Sequence, residues 1–260
     1  MDIIEAIVLG LIQGLTEFLP ISSTGHLYIG RHLFGLDDAG IFLDTMLHFG
    51  TLLAVVAVYW REITFMIKHP LSPLSRLVLV ATIPTAIIGL LFKDYFEIIA
   101  RTGETIGWEF LITGLILWMA DRWKDNGFKK VHDISYTDAL LIGTFQGAAI
   151  MPALSRSGLT IAAAIWRKID KETAAYFSFL VSIPSITGAV ILQSRQLFTT
   201  GSHALPLSSL LVGMVVSAVF GYIAVKWMIQ TLKKGSLKGF ALYVWGVGIV
   251  ILVLQWVNFF

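Results

Sequence analysis

The chain has 260 residues, 56% of them hydrophobic and 14% charged, a balance too apolar for a soluble domain of this size. It holds no cysteine, which excludes disulfides, thiolate chemistry and cysteine-ligated metals. The formal net charge of +2 says little by itself and gives no reason to expect a nucleic-acid partner; the distribution of charge along the chain says more.

Apolar runs of about 20 residues recur, as in helices that cross a bilayer roughly 30 Å thick. No alternating pattern suggests a barrel, so the expected fold class is an all-α integral membrane protein. The first stretch, Met1 to Leu19, has an acidic start, no A-x-A-like cleavage site, and Gln13 and Glu17 inside its apolar run, so it reads as part of the mature protein rather than a signal peptide. Asp2–Leu19 is helical in pattern, breaks at Pro20-Ile-Ser-Ser-Thr-Gly-His26 and restarts. Three spans follow, Ile41–Trp60, Leu77–Phe92 and Ile106–Ala120. A second broken segment, Tyr136–Met151, meets Pro152-Ala-Leu-Ser-Arg-Ser-Gly158 and restarts as far as Arg167. Thr173–Leu192, Leu207–Ile229 and Phe240–Trp256 complete the set of six spans.

Proline ends a helix, and Ser or Thr before a new apolar run caps the next one. The arms after each break, Leu27–Phe34 and Leu159–Trp166, are too short to cross about 30 Å at about 1.5 Å per residue. Each broken segment therefore reads as a re-entrant hairpin, the alternative being two ordinary spans and a short loop. The segments are also copies. A shift of 133 positions aligns Glu5 with Asp138, Gly10 with Gly143, Gln13 with Gln146, Gly14 with Gly147, Ser22 with Ser155, Thr24 with Ser157 and Gly25 with Gly158. The expected organisation is one membrane domain in two halves, 1–125 with hairpin 2–36 and 133–260 with hairpin 134–167. Three spans per half would invert the second copy relative to the first, so that hairpins from opposite faces meet near the midplane.

Charge tests that plan. The side holding the N-terminus would carry Arg31, Lys93, Arg101 and Arg195, while the other takes Arg61, Lys68 and Arg76, Arg122 to Lys130, Arg167 to Lys171, and Lys226 to Lys238, with Arg156 at a hairpin tip. The positive-inside rule makes the second side cytoplasmic, with both termini and the mouth of the first hairpin outside.

The chemistry gathers at the breaks. Gln13 and Glu17 share one helix face, and a carboxylate there costs about 2.5–3.5 kcal/mol on insertion scales. Glu17 is either functional or a snorkelling helix-end residue. Gly10-x-x-x-Gly14 and Gly143-x-x-x-Gly147 suit close packing and would let the hairpins approach each other. Both tips open helices whose N–H groups suit an anion, phosphate above all, and the planar fork of Arg156 suits phosphate too; its structural alternative is an ion pair with Glu17. His26 is a candidate general acid or nucleophile partner, or a plain hydrogen-bond donor as His48 and His132 are read. Ser22 and Ser155 read first as caps, and Asp44 and Tyr176 as structural hydrogen-bonders.

Gln13-Gly-Leu-Thr-Glu17-Phe-Leu-Pro-Ile-Ser-Ser-Thr-Gly-His26 resembles the [E/Q]-x-x-x-E segment and P-x-S-S-T-G-H continuation of the undecaprenyl-diphosphate phosphatase (bacitracin-resistance) family, and Pro152-Ala-Leu-Ser-Arg-Ser-Gly158 resembles that family's P-G-x-S-R-S-G. Length, termini and span order agree over the whole chain. The resemblance implies hydrolysis of undecaprenyl diphosphate to undecaprenyl phosphate and inorganic phosphate, recycling the carrier for peptidoglycan and conferring bacitracin resistance. It implies Glu17, His26 and Arg156 as essential residues, Ser23 as nucleophile, and a divalent cation, Mg²⁺ or Ca²⁺, near Glu17. Gln13, Ser22, Thr24, Gly25, Gln146, Ser155, Ser157 and Thr160 are the candidate substrate-binding residues around them. A multi-pass protein of the bacterial plasma membrane follows, its partners the bilayer and the prenyl diphosphate, with a homodimer left open. Two departures matter: Gln13 removes a second carboxylate, and Ala153 stands where the family has glycine. Covalent and direct hydrolysis both remain open, and a lipid-phosphate flippase is the alternative class. A phosphatase with S-G-H and S-R-x₅-H spacing is disfavoured, since the next histidine after Arg156 is His203.

Overall fold

A computed structural model describes residues 1–36, 40–123, 125–200 and 205–257. Lys124 and His203 lie outside these, as do the side chains of Lys93, Arg101, Arg195 and Lys234. The described residues form twelve α-helices: α1 Ile3–Phe18, α2 Ser23–Leu33, α3 Gly40–Val58, α4 Trp60–Lys68, α5 Pro73–Leu91, α6 Lys93–Thr102, α7 Ile106–Asp121, α8 Tyr136–Ala148, α9 Arg156–Trp166, α10 Lys171–Thr200, α11 Leu207–Lys234 and α12 Lys238–Trp256. The only strand-like pairing among them is an isolated bridge between Lys129 and Ile169.

Pro73–Leu91, Lys171–Ser194, Leu207–Lys233 and Lys238–Trp256 are long and apolar enough to cross a bilayer, and Leu43–Val58 with Trp60–Lys68 makes a fifth if that bent pair is one span. The chain is a multi-pass, all-α membrane protein. One expectation needs correction. The run Ile41–Trp60 does not continue straight, because α3 ends at Val58 and α4 leaves at 82°. The reason is composition: α4 mixes Arg61, Glu62 and Lys68 with exposed Trp60, Phe65 and Ile67, a pattern that suits the bilayer interface rather than its interior. The expected span at Ile106–Ala120 is a helix of 16 residues, about 24 Å long, and a span this short crosses by thinning the bilayer around it.

Local chemistry sets the breaks. A reciprocal capping box starts α1, with Glu5 N donating to Asp2 Oδ1 at 2.8 Å and Asp2 N donating to Glu5 Oε2 at 2.6 Å. Leu19, before Pro20, is forced extended at ψ 148° and ends the helix. Ser135 and Asp138 repeat the capping box at α8, where Asp138 also pairs with Lys129 and Arg167 at 2.8 and 2.6 Å.

The small-residue patches do bring helices close, though the partners differ from those expected. A Cβ on Gly10 would stand 2.5 Å from Gly213 O, and one on Gly14 2.8 Å from Ser217 O, both on α11. On Gly143 it would stand 1.9 Å from Ala81 O, and on Gly147 2.5 Å from Ile88 Cδ1, both on α5. Each hairpin helix thus packs on a span from the other half of the sequence, and α7 pairs with α12. The exchange buries one face each of α1 and α8, and the tips that follow them meet.

Candidate functional site

Glu17 is in the last turn of α1, its side chain 5% exposed. Four groups converge on its carboxylate. Gln13 Nε2, one turn earlier, donates to Oε2 at 2.9 Å, and Ser23 Oγ donates to the same oxygen at 2.6 Å. Arg156 Nη2, from the second tip, pairs with Oε1. His48 Nε2, on α3, lies 3.6 Å from Oε2. A buried carboxylate survives only when paired and hydrogen-bonded, and these groups meet that need. Two polar atoms beside it stay buried without a hydrogen-bond partner among the described residues: Gln13 Oε1 and Arg156 Nη1.

The two tips touch directly. Ser22 Oγ approaches Pro152 O at 3.5 Å, and Ser157 Oγ donates to Leu19 O at 2.9 Å. Ser22 and Ser155 cap α2 and α9, accepting from Gly25 N at 3.3 Å and Gly158 N at 3.1 Å. Ser22 adopts φ 68°, a left-handed conformation costly for a residue with a Cβ and typical of sites that over-determine their backbone. Gly25 is required where it is, since a Cβ there would meet the Phe110 ring at 2.6 Å. Arg156 opens α9, its guanidinium carbon 6.0 Å from the Phe18 ring centroid.

Other candidates fall elsewhere. His26 does not hydrogen-bond Glu17, Ser23 or Arg156. Its Nδ1 lies 2.7 Å from Ser22 O, which can only accept, so Nδ1 carries the proton; Nε2 lies 2.8 Å from the hydroxyl of Tyr243, whose ring stacks on it at 5.7 Å between centroids. Gln146, the repeat counterpart of Gln13, turns away from the tips and donates to Ser185 Oγ at 2.6 Å and Thr85 Oγ1 at 3.1 Å, tying α8 to α10 and α5. Thr160 bonds Ser178 Oγ at 2.6 Å and the carbonyl of Arg156 at 2.8 Å. Thr24 is half-buried in the first turn of α2. Asp44 pairs with Arg31, and Thr45 of the same helix donates to Gln193 Oε1 at 2.9 Å.

Three residues beside the tips make contacts that the sequence did not assign to them. His48 reads as a lone membrane histidine, and only packing brings α3 against the end of α1. Its Nδ1 lies 2.7 Å from Asp44 O, again an acceptor, so the Nε2 facing Glu17 carries a proton only when the ring is charged. Glu109 sits in an apolar run, where the cost of a carboxylate is itself a signal. Tyr243 gave no signal of its own.

The comparisons agree on ancestry. The family model described as bacitracin resistance protein BacA matches residues 6–250. An undecaprenyl-diphosphatase 4 of Bacillus thuringiensis (strain Al Hakam) is 62% identical, and an undecaprenyl-diphosphatase 3 of Bacillus cereus is 63% identical, each over 100% of both chains. An undecaprenyl-diphosphatase of Carboxydothermus hydrogenoformans is 45% identical over 98% of each. By matched length and identity together, this chain belongs to the bacitracin resistance protein BacA family.

Proposed function

We propose that this chain hydrolyses undecaprenyl diphosphate to undecaprenyl phosphate and inorganic phosphate, as the names of its relatives say of them. The observation that carries the reading is the Ser23 hydroxyl, hydrogen-bonded at 2.6 Å to a carboxylate that also holds Arg156 from the opposite tip. A nucleophile, a base and a phosphate-binding cation thereby share one buried point.

The chemistry follows from those contacts. Arg156 has one nitrogen on Glu17 and one unpartnered, so it can turn its fork to the terminal phosphate and offset the charge that develops during transfer. Ser23 passes its proton to Glu17 as its oxygen attacks the terminal phosphorus. The anhydride P–O bond breaks, and its electrons leave with undecaprenyl phosphate. Glu17 hands that proton to the departing undecaprenyl phosphate and is a carboxylate again. It then takes a proton from water, whose oxygen attacks the phosphoserine phosphorus, and returns it to Ser23 Oγ as inorganic phosphate leaves. Glu17 rather than His26 serves as the base for Ser23, since the imidazole bonds Tyr243; His26 shapes the first tip through Ser22 O and meets the diphosphate only if Tyr243 yields. Ser22, Ser157 and Gly25 set the distance between the tips. Gln146 and Thr160 support their helices rather than the phosphate.

A divalent cation fits this donor set. Among the described residues no three carboxylate or imidazole groups form a cage, but Glu17 and the unpartnered Gln13 Oε1 offer hard oxygens on one helix face. A Mg²⁺ or Ca²⁺ held there would complete its shell with phosphate oxygens and water. Bound, it would supply charge neutralisation on the diphosphate.

The same reading puts the halves 1–125 and 133–260 in inverted orientation, both termini outside and the site open to the outer face of the plasma membrane. The exchanged packing of α1 on α11 and α8 on α5 supports the two-fold relation, and the basic loops support the orientation. A lipid-phosphate carrier would need the diphosphate bound and released; the Ser23–Glu17 hydrogen bond is what a hydrolase adds, and it favours hydrolysis. The test is phosphate release from a prenyl diphosphate by purified protein in detergent, with and without EDTA, beside Glu17→Ala and Arg156→Ala. Release that needs metal and vanishes in both variants supports the reading. No release from folded wild-type protein on short or long prenyl chains overturns it.

A further inference from the structure

We infer that Glu109, with Thr113, is a positioning residue of this site: the two hold the backbone of the second tip and so fix where Arg156 meets the diphosphate. The inference rests on the hydrolase reading for its catalytic consequence, though its geometry stands apart from it. Glu109 lies inside apolar α7 and is 2% exposed, and no cation pairs with it among the described residues. Its two oxygens are both used. Ala153 N donates to Oε2 at 2.5 Å, and Thr105 Oγ1, one turn earlier, donates to Oε1 at 2.5 Å and so fixes the rotamer. One turn later on the same face, Thr113 Oγ1 accepts from Ser155 N at 3.2 Å. Four residues of helix rise about 6 Å along one face, and the turn at 152–154 brings the Ala153 and Ser155 N–H groups onto that face. The acceptors at 109 and 113 are therefore spaced to match the donors at 153 and 155.

A bond that only tied α7 to the tip could be made by a hydroxyl at far lower cost than a buried carboxylate. What the carboxylate adds is a short, charge-assisted hold on one N–H at the residue that follows Pro152, three positions before Arg156. With Ala153 and Ser155 held, α9 starts at a fixed height, and Arg156 is set against Glu17. The next residue on α7, Phe110, lies under Gly25 and edge-on to His26, with ring centroids 5.3 Å apart. One helix face thus braces both tips, and Glu109 is its polar anchor.

The test compares Glu109→Leu, Glu109→Gln and Thr113→Val with wild type, reading kcat and KM for a prenyl diphosphate and amide hydrogen exchange of residues 150–158. We expect Glu109→Leu to lose kcat by on the order of tenfold to a hundredfold, the scale of about 1 Å of misplacement, with KM changed much less. Exchange at the second tip should quicken while that of α10 stays as in wild type. Glu109→Gln, which keeps a carbonyl acceptor for Ala153 N, should recover most of both. Unchanged kcat and tip exchange in Glu109→Leu overturn the inference, and so does exchange that quickens evenly in every helix. If Glu109→Leu does not fold, Thr113→Val applies the same criteria at Ser155. If wild type releases no phosphate, the hydrolase reading fails and exchange alone decides: selective loss of protection at 150–158 keeps the positioning role, and its absence removes it.

Discussion

At the scale of single residues, the site is organised around the Glu17 carboxylate, which Gln13, Ser23 and Arg156 all meet. Glu17→Gln keeps shape and removes the base, so phosphate release should fall by about 10²–10⁴-fold, the usual range for general acid–base catalysis. Ser23→Ala should fall by a similar factor, and the double variant should be no worse than the poorer single one, because the two act as a unit; initial rates on the four proteins check this. Removing one partner of a buried ion pair costs about 3–5 kcal/mol, so Glu17→Ala and Arg156→Ala need a thermal-unfolding control before lost activity is read as lost chemistry. His48, with Nδ1 held by Asp44 O, points Nε2 at Glu17. His48→Gln retains a polar group of similar reach and should cost less than His48→Leu, by about tenfold if the contact is worth about 1.4 kcal/mol; kcat measured in parallel on the two variants decides. Of these residues, Gln13, Glu17, Ser23 and Arg156 were legible in the sequence because helix spacing and tip position bring them together. Repeat symmetry carries the position of Gln146 across but not its surroundings, which are Thr85 and Ser185 rather than a carboxylate.

At the scale of elements, glycine decides which helices touch. Gly143→Ala would drive a Cβ to 1.9 Å from Ala81 O, a backbone atom that cannot turn aside. Overpacking of this kind costs about 1–3 kcal/mol or more. Gly188→Ala on α10 meets nothing within 4 Å and should instead gain up to about 1 kcal/mol from helix propensity. Thermal unfolding in detergent should therefore move in opposite directions for the same chemical change. The sequence marked these patches as packing surfaces, yet it could not name the partners, since small-xxx-small patterns record how close a neighbour comes and not which neighbour it is. The turn at Tyr59 was hidden for a related reason. Trp60, Phe65 and Ile67 extend the apolar run in sequence, and only the placement of Arg61, Glu62 and Lys68 around α4 shows a helix suited to the interface.

At the scale of the whole molecule, two outcomes follow from charge. Asp170, between α9 and α10, accepts from Thr173 N at 3.3 Å and has the Lys130 ammonium 3.4 Å away. Burial raises its carboxyl pKa, but the Thr173 hydrogen bonds and Lys130 outweigh that and hold it below the ordinary value of 3.8. A depressed folded-state pKa contributes stability above the unfolded value, and that stability is lost as pH falls through the folded one. Asp170→Asn should thus lower stability at neutral pH and flatten its decline below about pH 4, as unfolding in detergent across pH would register. The chain lacks cysteine, so single-cysteine labelling gives topology directly. Thr102→Cys should react with an impermeant maleimide on intact cells, and Asn126→Cys only after permeabilisation; the reverse pattern overturns the orientation proposed from the basic loops.

The sequence by itself determined the solvent, most of the spans and the broken tips, because these depend on local quantities: the length of apolar runs, proline's missing N–H, and capping side chains three residues from their donors. It also determined that Glu17 and Arg156 need partners, since a charge in an apolar run must find one. The sequence offered the Arg156–Glu17 ion pair as one reading of Arg156, and the tertiary structure decided that it forms. The Arg156–Glu17 pair spans 139 positions, the Tyr243–His26 contact 217, and the Glu109–Ala153 bond 44. Contacts at such separations are set by how α1, α2, α7, α9 and α12 pack. That packing turns on close backbone approaches and the satisfaction of buried polar groups in three dimensions, neither of which leaves a periodic trace in the chain.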